Sequence, residues 1–93
     1  MADYYIKCTE KDRDGDILRV GWSLFPSTSI KNTLKNKREV IRDIDVKNYD
    51  VKTAYKRGGN WKIGEEVHTV DGDYIRTDRN KTPADNLDNI SEC

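Results

Sequence analysis

The sequence predicts an α+β domain: a small, mainly antiparallel sheet in the order β-β-α-β-β-β, covered on one face by a single short helix. Three observations predict it. Apolar and polar residues alternate with period two over four separate stretches. One stretch between them switches to helical spacing. The chain has 93 residues, of which 34% are apolar and 37% charged, enough for one domain with a thin core and a shallow groove.

Residues 4–9 set Tyr4, Ile6 and Cys8 on one face against Tyr5, Lys7 and Thr9 on the other, a half-buried strand. Residues 17–25 alternate again, with Leu18, Val20, Trp22 and Leu24 inward. Between them EKDRDGD holds Asp14-Gly15, a pair that tolerates positive φ, so the two strands should form an antiparallel hairpin. Pro26 ends the second strand because it has no N–H for the ladder. PSTSIKNTL reads as a polar, mobile connection. Asn36 then caps a helix over residues 37–46, and Glu39 completes a capping box. Val40, Ile41 and Ile44 form its apolar stripe, with Arg38, Arg42, Asp43 and Asp45 opposite. So short a helix needs the sheet to be stable.

Residues 49–57 return to period two, with Tyr49, Val51, Thr53 and Tyr55 facing away from Asp50, Lys52, Ala54 and Lys56. RGGN is a loop or tight turn, and residues 61–70 continue with Trp61, Ile63 and Val67 inward. DGDYIR at residues 71–76 then repeats DGDILR at residues 14–19. A calcium loop does not fit: counted from Asp12, Gly15 comes too early and Ser23 stands where a bidentate Glu is required. Both copies lie between alternating runs, so each is a hairpin turn. A short strand at residues 74–77 completes the sheet. Residues 1–82 make one domain, and residues 83–93 an arm that docks back through Leu87 and Ile90.

Formal charge is zero, 17 basic against 17 acidic residues, but unevenly spread. Residues 31–62 carry a net +6 and the remainder −6, a dipolar distribution. No apolar run is long enough for a membrane span, and MADYYIKCTEKD has neither the basic start nor the apolar core of a signal peptide. The expected compartment is the cytoplasm. There Cys8 and Cys93, 85 residues apart and no disulfide framework, should remain thiols.

The second half, YKRGGNWKIGEEVHTVDGDYIRTDRNKTPADNLDNISEC, resembles the uncharacterised bacterial family of domain-of-unknown-function 3892. The likeness lies in the Gly58-Gly59 turn, the Tyr74-Ile75-Arg76-Thr77 strand and the run Thr82-Pro83-Ala84-Asp85-Asn86-Leu87, and YYIKCTEKD is similar to the family's opening strand. The resemblance implies a compact bacterial domain and brings no reaction with it.

Candidate chemistry is sparse. Cys8, His68 and Cys93 are the soft metal ligands, and none has metal-ligand spacing. Cys8 and His68 belong to opposite faces of their strands, so no thiol–imidazole pair is expected. Glu65 and Glu66 are adjacent on a strand and point apart. RGGN lacks the lysine and following helix of a phosphate loop. No catalytic group, metal or cofactor is therefore expected. Lys52, Lys56, Arg57, Lys62, Arg76, Arg79 and Lys81, with Tyr55, Trp61 and Tyr74 among them, could make a single-strand nucleic-acid surface. Asp71, Asp73 and Asp78 interrupt that patch, and a pI of 6.6 is low for such a binder. The leading expectation is a non-enzymatic binding or regulatory module acting through a protein partner, such as an accessory or inhibitor protein of a bacterium or mobile element. Lys52, Lys56, Arg57, Lys62 and Arg76 are its expected contacts with an acidic partner. Weak nucleic-acid binding by the same residues is the alternative. The chain should be a monomer or a homodimer paired through an edge strand.

Overall fold

The structure, a computed structural model, describes residues 2–26, 33–77, 87 and 90–93. Its elements are β1 (Tyr4–Lys11), β2 (Ile17–Ser23), β3 (Leu34–Asn36), α1 (Lys37–Asp45), β4 (Val51–Arg57), β5 (Asn60–Val70) and β6 (Tyr74–Thr77). The strands form one six-stranded sheet ordered β3-β2-β1-β4-β5-β6. Every neighbouring pair is antiparallel except β1 and β4, which run parallel at the centre. From β3 at one edge the chain passes through α1, which packs on β2, β3, β5 and β6, and re-enters the sheet beside β1. The α+β class is the one the sequence predicts. The strand β3 is an addition, because period two has no purchase on three residues. The rest of the predicted mobile connection, residues 27–32, lies outside the described residues.

Each Asp-Gly phrase is a hairpin turn. In the first, Asp12 Oδ1 accepts the N–H groups of Asp14 at 2.8 Å and Asp16 at 3.0 Å, which closes the turn. In the second, Asp71 and Gly72 take φ of 54° and 72°, and the Asp73 N–H donates to the Val70 carbonyl at 3.1 Å. Positive φ at both central residues matches the right-handed twist of the flanking strands.

The main core lies between the sheet and α1: Tyr4, Ile6, Ile17, Val20, Val40, Val51, Val67, Ile75 and Leu87. A smaller cluster of Ala2, Tyr5 and Ala54, with Trp61 against it, makes a second core. Every residue from Tyr4 to Thr9 is buried, so β1 is a central strand covered on both faces, not a half-buried one.

Three bulges correct the expected faces. Between Ile6 and Cys8 the pairing moves from Trp22 to Gly21, with Lys7 inserted. Thr9 then lies across from the core residue Val20, and Cys8 turns to the opposite face from Ile6. At the next shift Leu18 is the inserted residue. Ile17 enters the core, and Leu18 is 47% exposed instead of inward. The third lies in β5, where Ala54 pairs with Ile63 but Lys52 pairs with Glu66. The hydroxyl of Thr53 accepts the Glu65 N–H there at 3.0 Å, and Ile63 is left exposed. Leu24 is exposed too, because β2 stops at Ser23.

The helix begins as its sequence specifies, with the Asn36 side chain accepting the Glu39 N–H at 2.8 Å. Val40 is fully buried, and Ile41 and Ile44 pack on the core. Asp43, expected on the outer face, is buried instead. Asp45 accepts from the Thr69 hydroxyl at 2.7 Å, tying the end of α1 to β5.

In the arm, Leu87 is buried in the main core and its N–H donates to the Thr77 hydroxyl at 2.8 Å. Ile90 is buried as well. Glu92 makes a parallel bridge to Thr9. The largest departure from expectation is that Cys8 and Cys93 are not thiols. They form a disulfide, their Cα atoms 4.9 Å apart. The cysteines are distant in sequence, but the arm runs alongside β1 and brings them together. No helix among the described residues is long and apolar enough to cross a membrane.

Candidate functional site

The five expected contact residues do not share one face. Lys52 pairs with Tyr5, and Lys56 with Trp61, which places both with the second cluster. Tyr55 pairs with Lys62 and Arg57 with Asn60, and alternation sends that set to the other side. Arg76 sits across from His68 in the last hairpin. Lys52 is half-buried, and Lys56, Arg57, Lys62 and Arg76 are exposed. Arg79 and Lys81 lie outside the described residues. The cation nearest an aromatic face of the second cluster is Lys7, buried with its ammonium 4.3 Å from the centre of the Trp61 ring. Burial pushes the Lys7 pKa down.

The most concentrated chemistry surrounds Asp43. Four elements contribute: Tyr4 from β1, Trp22 from β2, Lys35 from β3 and Asp43 from α1. Asp43 Oδ2 accepts the Tyr4 hydroxyl at 2.8 Å and the Lys35 ammonium at 2.6 Å. Its Oδ1 lies 3.5 Å from Lys47 Nζ. The Lys35 ammonium also sits 4.3 Å from the Tyr4 ring centre and 4.6 Å from that of Trp22. Those rings meet edge to face at 5.3 Å, and Tyr49 closes on Tyr4 at 6.4 Å. A lysine is thus held by a carboxylate and two aromatic faces.

Burial alone would raise the Asp43 pKa. The hydrogen bonds from Lys35 and Tyr4 and the charges of Lys35 and Lys47 outweigh it, and the carboxyl is held below the usual aspartate range. For Tyr4, burial comes first and the Asp43 hydrogen bond and charge add to it, so its phenol is pushed up. Both shifts favour one arrangement: ionised Asp43, neutral donating Tyr4 and charged Lys35. Such a carboxylate is a poor base at neutral pH and already has its partners. The cluster therefore ties β1, β2, β3 and α1 together. In an alkaline absorbance titration, Tyr4 is expected to stay protonated well above the ordinary tyrosine range. Ionisation of Tyr4 within that range would contradict this geometry.

Two open grooves lie at the start of α1, where both Asp-Gly turns converge. One open groove is lined by Asp12, Asp16, Ile17, Leu18, Asn36, Lys37 and Arg38, with a volume of about 320 Å³. A second of similar size runs along Lys37, Arg38, Ile41, Gly72, Asp73 and Tyr74. Lys37 and Arg38 belong to both, and Lys37 Nζ lies 5.0 Å from the Tyr74 ring centre. Leu18 on one side and Tyr74 on the other are about half exposed, at 47% and 54%. Sequence reading missed this surface because it treated the two turns separately. The signal was the repeated DGD phrase, which puts equivalent turns at one end of the sheet.

No family model, no curated protein and no solved structure matches this chain.

Proposed function

We propose that this protein is a small non-enzymatic binding module that acts through a protein partner, with the paired grooves at the start of α1 as its contact surface. The observation that carries the reading is the shared position of Lys37 and Arg38 between two exposed apolar side chains, Leu18 and Tyr74. Two cations flanked by apolar surface suit an acidic segment that carries hydrophobic side chains. Asp12, Asp16 and Asp73 line the grooves as well, and Asp12 Oδ1 is engaged by the N–H groups of its own turn. The resemblance to domain-of-unknown-function family 3892 belongs to the same proposal, as do a bacterial or mobile-element origin and a cytoplasmic location.

The test compares capture of partners from a native lysate by the wild type, by Lys37→Glu/Arg38→Glu and by Lys52→Glu/Lys56→Glu. Proteins retained by the wild type should be lost with the first variant and kept with the second. Loss with the second alone would move the contact to the strand surface. A parallel polarisation titration with single-stranded and duplex nucleic acid at two salt concentrations should show no micromolar, salt-sensitive binding. If it does, the nucleic-acid alternative replaces this reading.

A further inference from the structure

The geometry points to the Cys8–Cys93 disulfide as a redox-sensitive latch that holds residues 91–93 over an open edge of β1. On one side β1 pairs with β2 along its length. On the other, β4 pairs with Tyr4, Tyr5 and Ile6 and goes no further. The arm takes over at Thr9, whose N–H donates to the Ser91 carbonyl at 2.9 Å and whose carbonyl accepts the Cys93 N–H at 2.9 Å. Those two hydrogen bonds and the disulfide are what fasten this segment to the strand. Ser91, Glu92 and Cys93 are all exposed, whereas Cys8 is buried. The arm's apolar anchors, Leu87 and Ile90, lie upstream and are both buried.

This asymmetry sets the chemistry. A dithiol reductant attacks as thiolate at Sγ of the exposed residue Cys93, and Cys8 leaves as a thiolate that takes up a proton. The reductant's second thiol then resolves the mixed disulfide and frees Cys93 as a thiol. The protein disulfide gains two electrons and the dithiol becomes a disulfide. With the link cut, two backbone hydrogen bonds in an exposed segment are too few to keep it in place, and the Thr9 N–H and carbonyl are uncovered. An uncovered strand edge is a template for an extended peptide. The oxidised chain is the closed form and the reduced chain the open one.

The experiment is amide hydrogen exchange on the full chain, oxidised, reduced with a dithiol, and as Cys93→Ser. In the reduced chain and in the variant the Thr9 amide should exchange at least about tenfold faster than amides in β2, α1 and β4 of the same protein, whereas in the oxidised chain it should be protected as they are. Reoxidation should restore its protection. Equal Thr9 protection in the oxidised and reduced chains would overturn the latch, since the segment then stays without its link. Thr9 exchange that only keeps pace with the core amides on reduction would also overturn it, because the bond would then act on the whole fold and not on this edge.

Discussion

Asp43→Ala is expected to destabilise the fold by about 3 kcal/mol, because it strands a lysine without its counter-ion. The Lys35 side chain is only 17% exposed, wedged between Tyr4 and Trp22. Its ammonium would lose the 2.6 Å contact that makes this position tolerable. The Tyr4 hydroxyl would lose its acceptor in the same step. Asp43→Asn should cost less, since an amide oxygen still accepts from Tyr4. The double change Asp43→Leu/Lys35→Met should recover much of the loss, as buried ion pairs replaced by apolar pairs often do. Urea unfolding of the four proteins checks this, and a loss below about 1 kcal/mol for the alanine variant would show Lys35 escaping to water. The pH dependence follows in sign. The folded carboxyl lies below its ordinary value of 3.8, so its contribution is fully present above that value and fades as pH falls below it. Asp43→Asn should flatten the acid limb of stability below about pH 4.

Period-two alternation located four of the six strands, because strands half-facing a core must alternate, and the second Asp-Gly turn pointed to a fifth. It misassigned Cys8, Leu18 and Ile63 for one physical reason. Each lies at or beside a bulge, and a single inserted residue exchanges the two faces of the strand. Bulges depend on how neighbouring strands twist together, so no local pattern announces them. The cap at Asn36 was legible since it is a purely local bond. Asp43 was not, although it follows Val40 by three residues and so shares its side of the helix. Reading charge as outward overrode that spacing. The partner that justifies burying it, Tyr4, is 39 residues away. Of the paired grooves, the two turns were legible and their convergence on Lys37 was not, because convergence is a product of the sheet order.

Cys93→Ser is expected to remove about 4–5 kcal/mol of stability, mostly by freeing the unfolded chain. The bond joins residues 85 apart, so in the oxidised protein nearly the whole unfolded chain is one closed loop. In the chain-entropy account the closure cost grows with the logarithm of loop length, so a link this long is near the upper end of what one disulfide contributes. Domains of this size hold only about 5–15 kcal/mol in all, so the melting temperature should fall by on the order of 20 °C. Reduced wild type and Cys93→Ser should agree in Tm. Both should show a larger urea m-value than the oxidised protein, because an open unfolded chain exposes more surface than a looped one. Cys93 is the residue to change, since a serine there stays in water, whereas at buried Cys8 it would add the burial of a hydroxyl. An unchanged m-value with a large loss of stability would mean that the bond acts through the native contacts around Thr9 instead. A drop in Tm together with Thr9 exchanging ahead of the core amides at lower temperature is the combination the latch requires. The link stabilises the whole fold through its unfolded state and the β1 edge through its native state, and Leu87, buried in the main core, holds the arm when the link is cut.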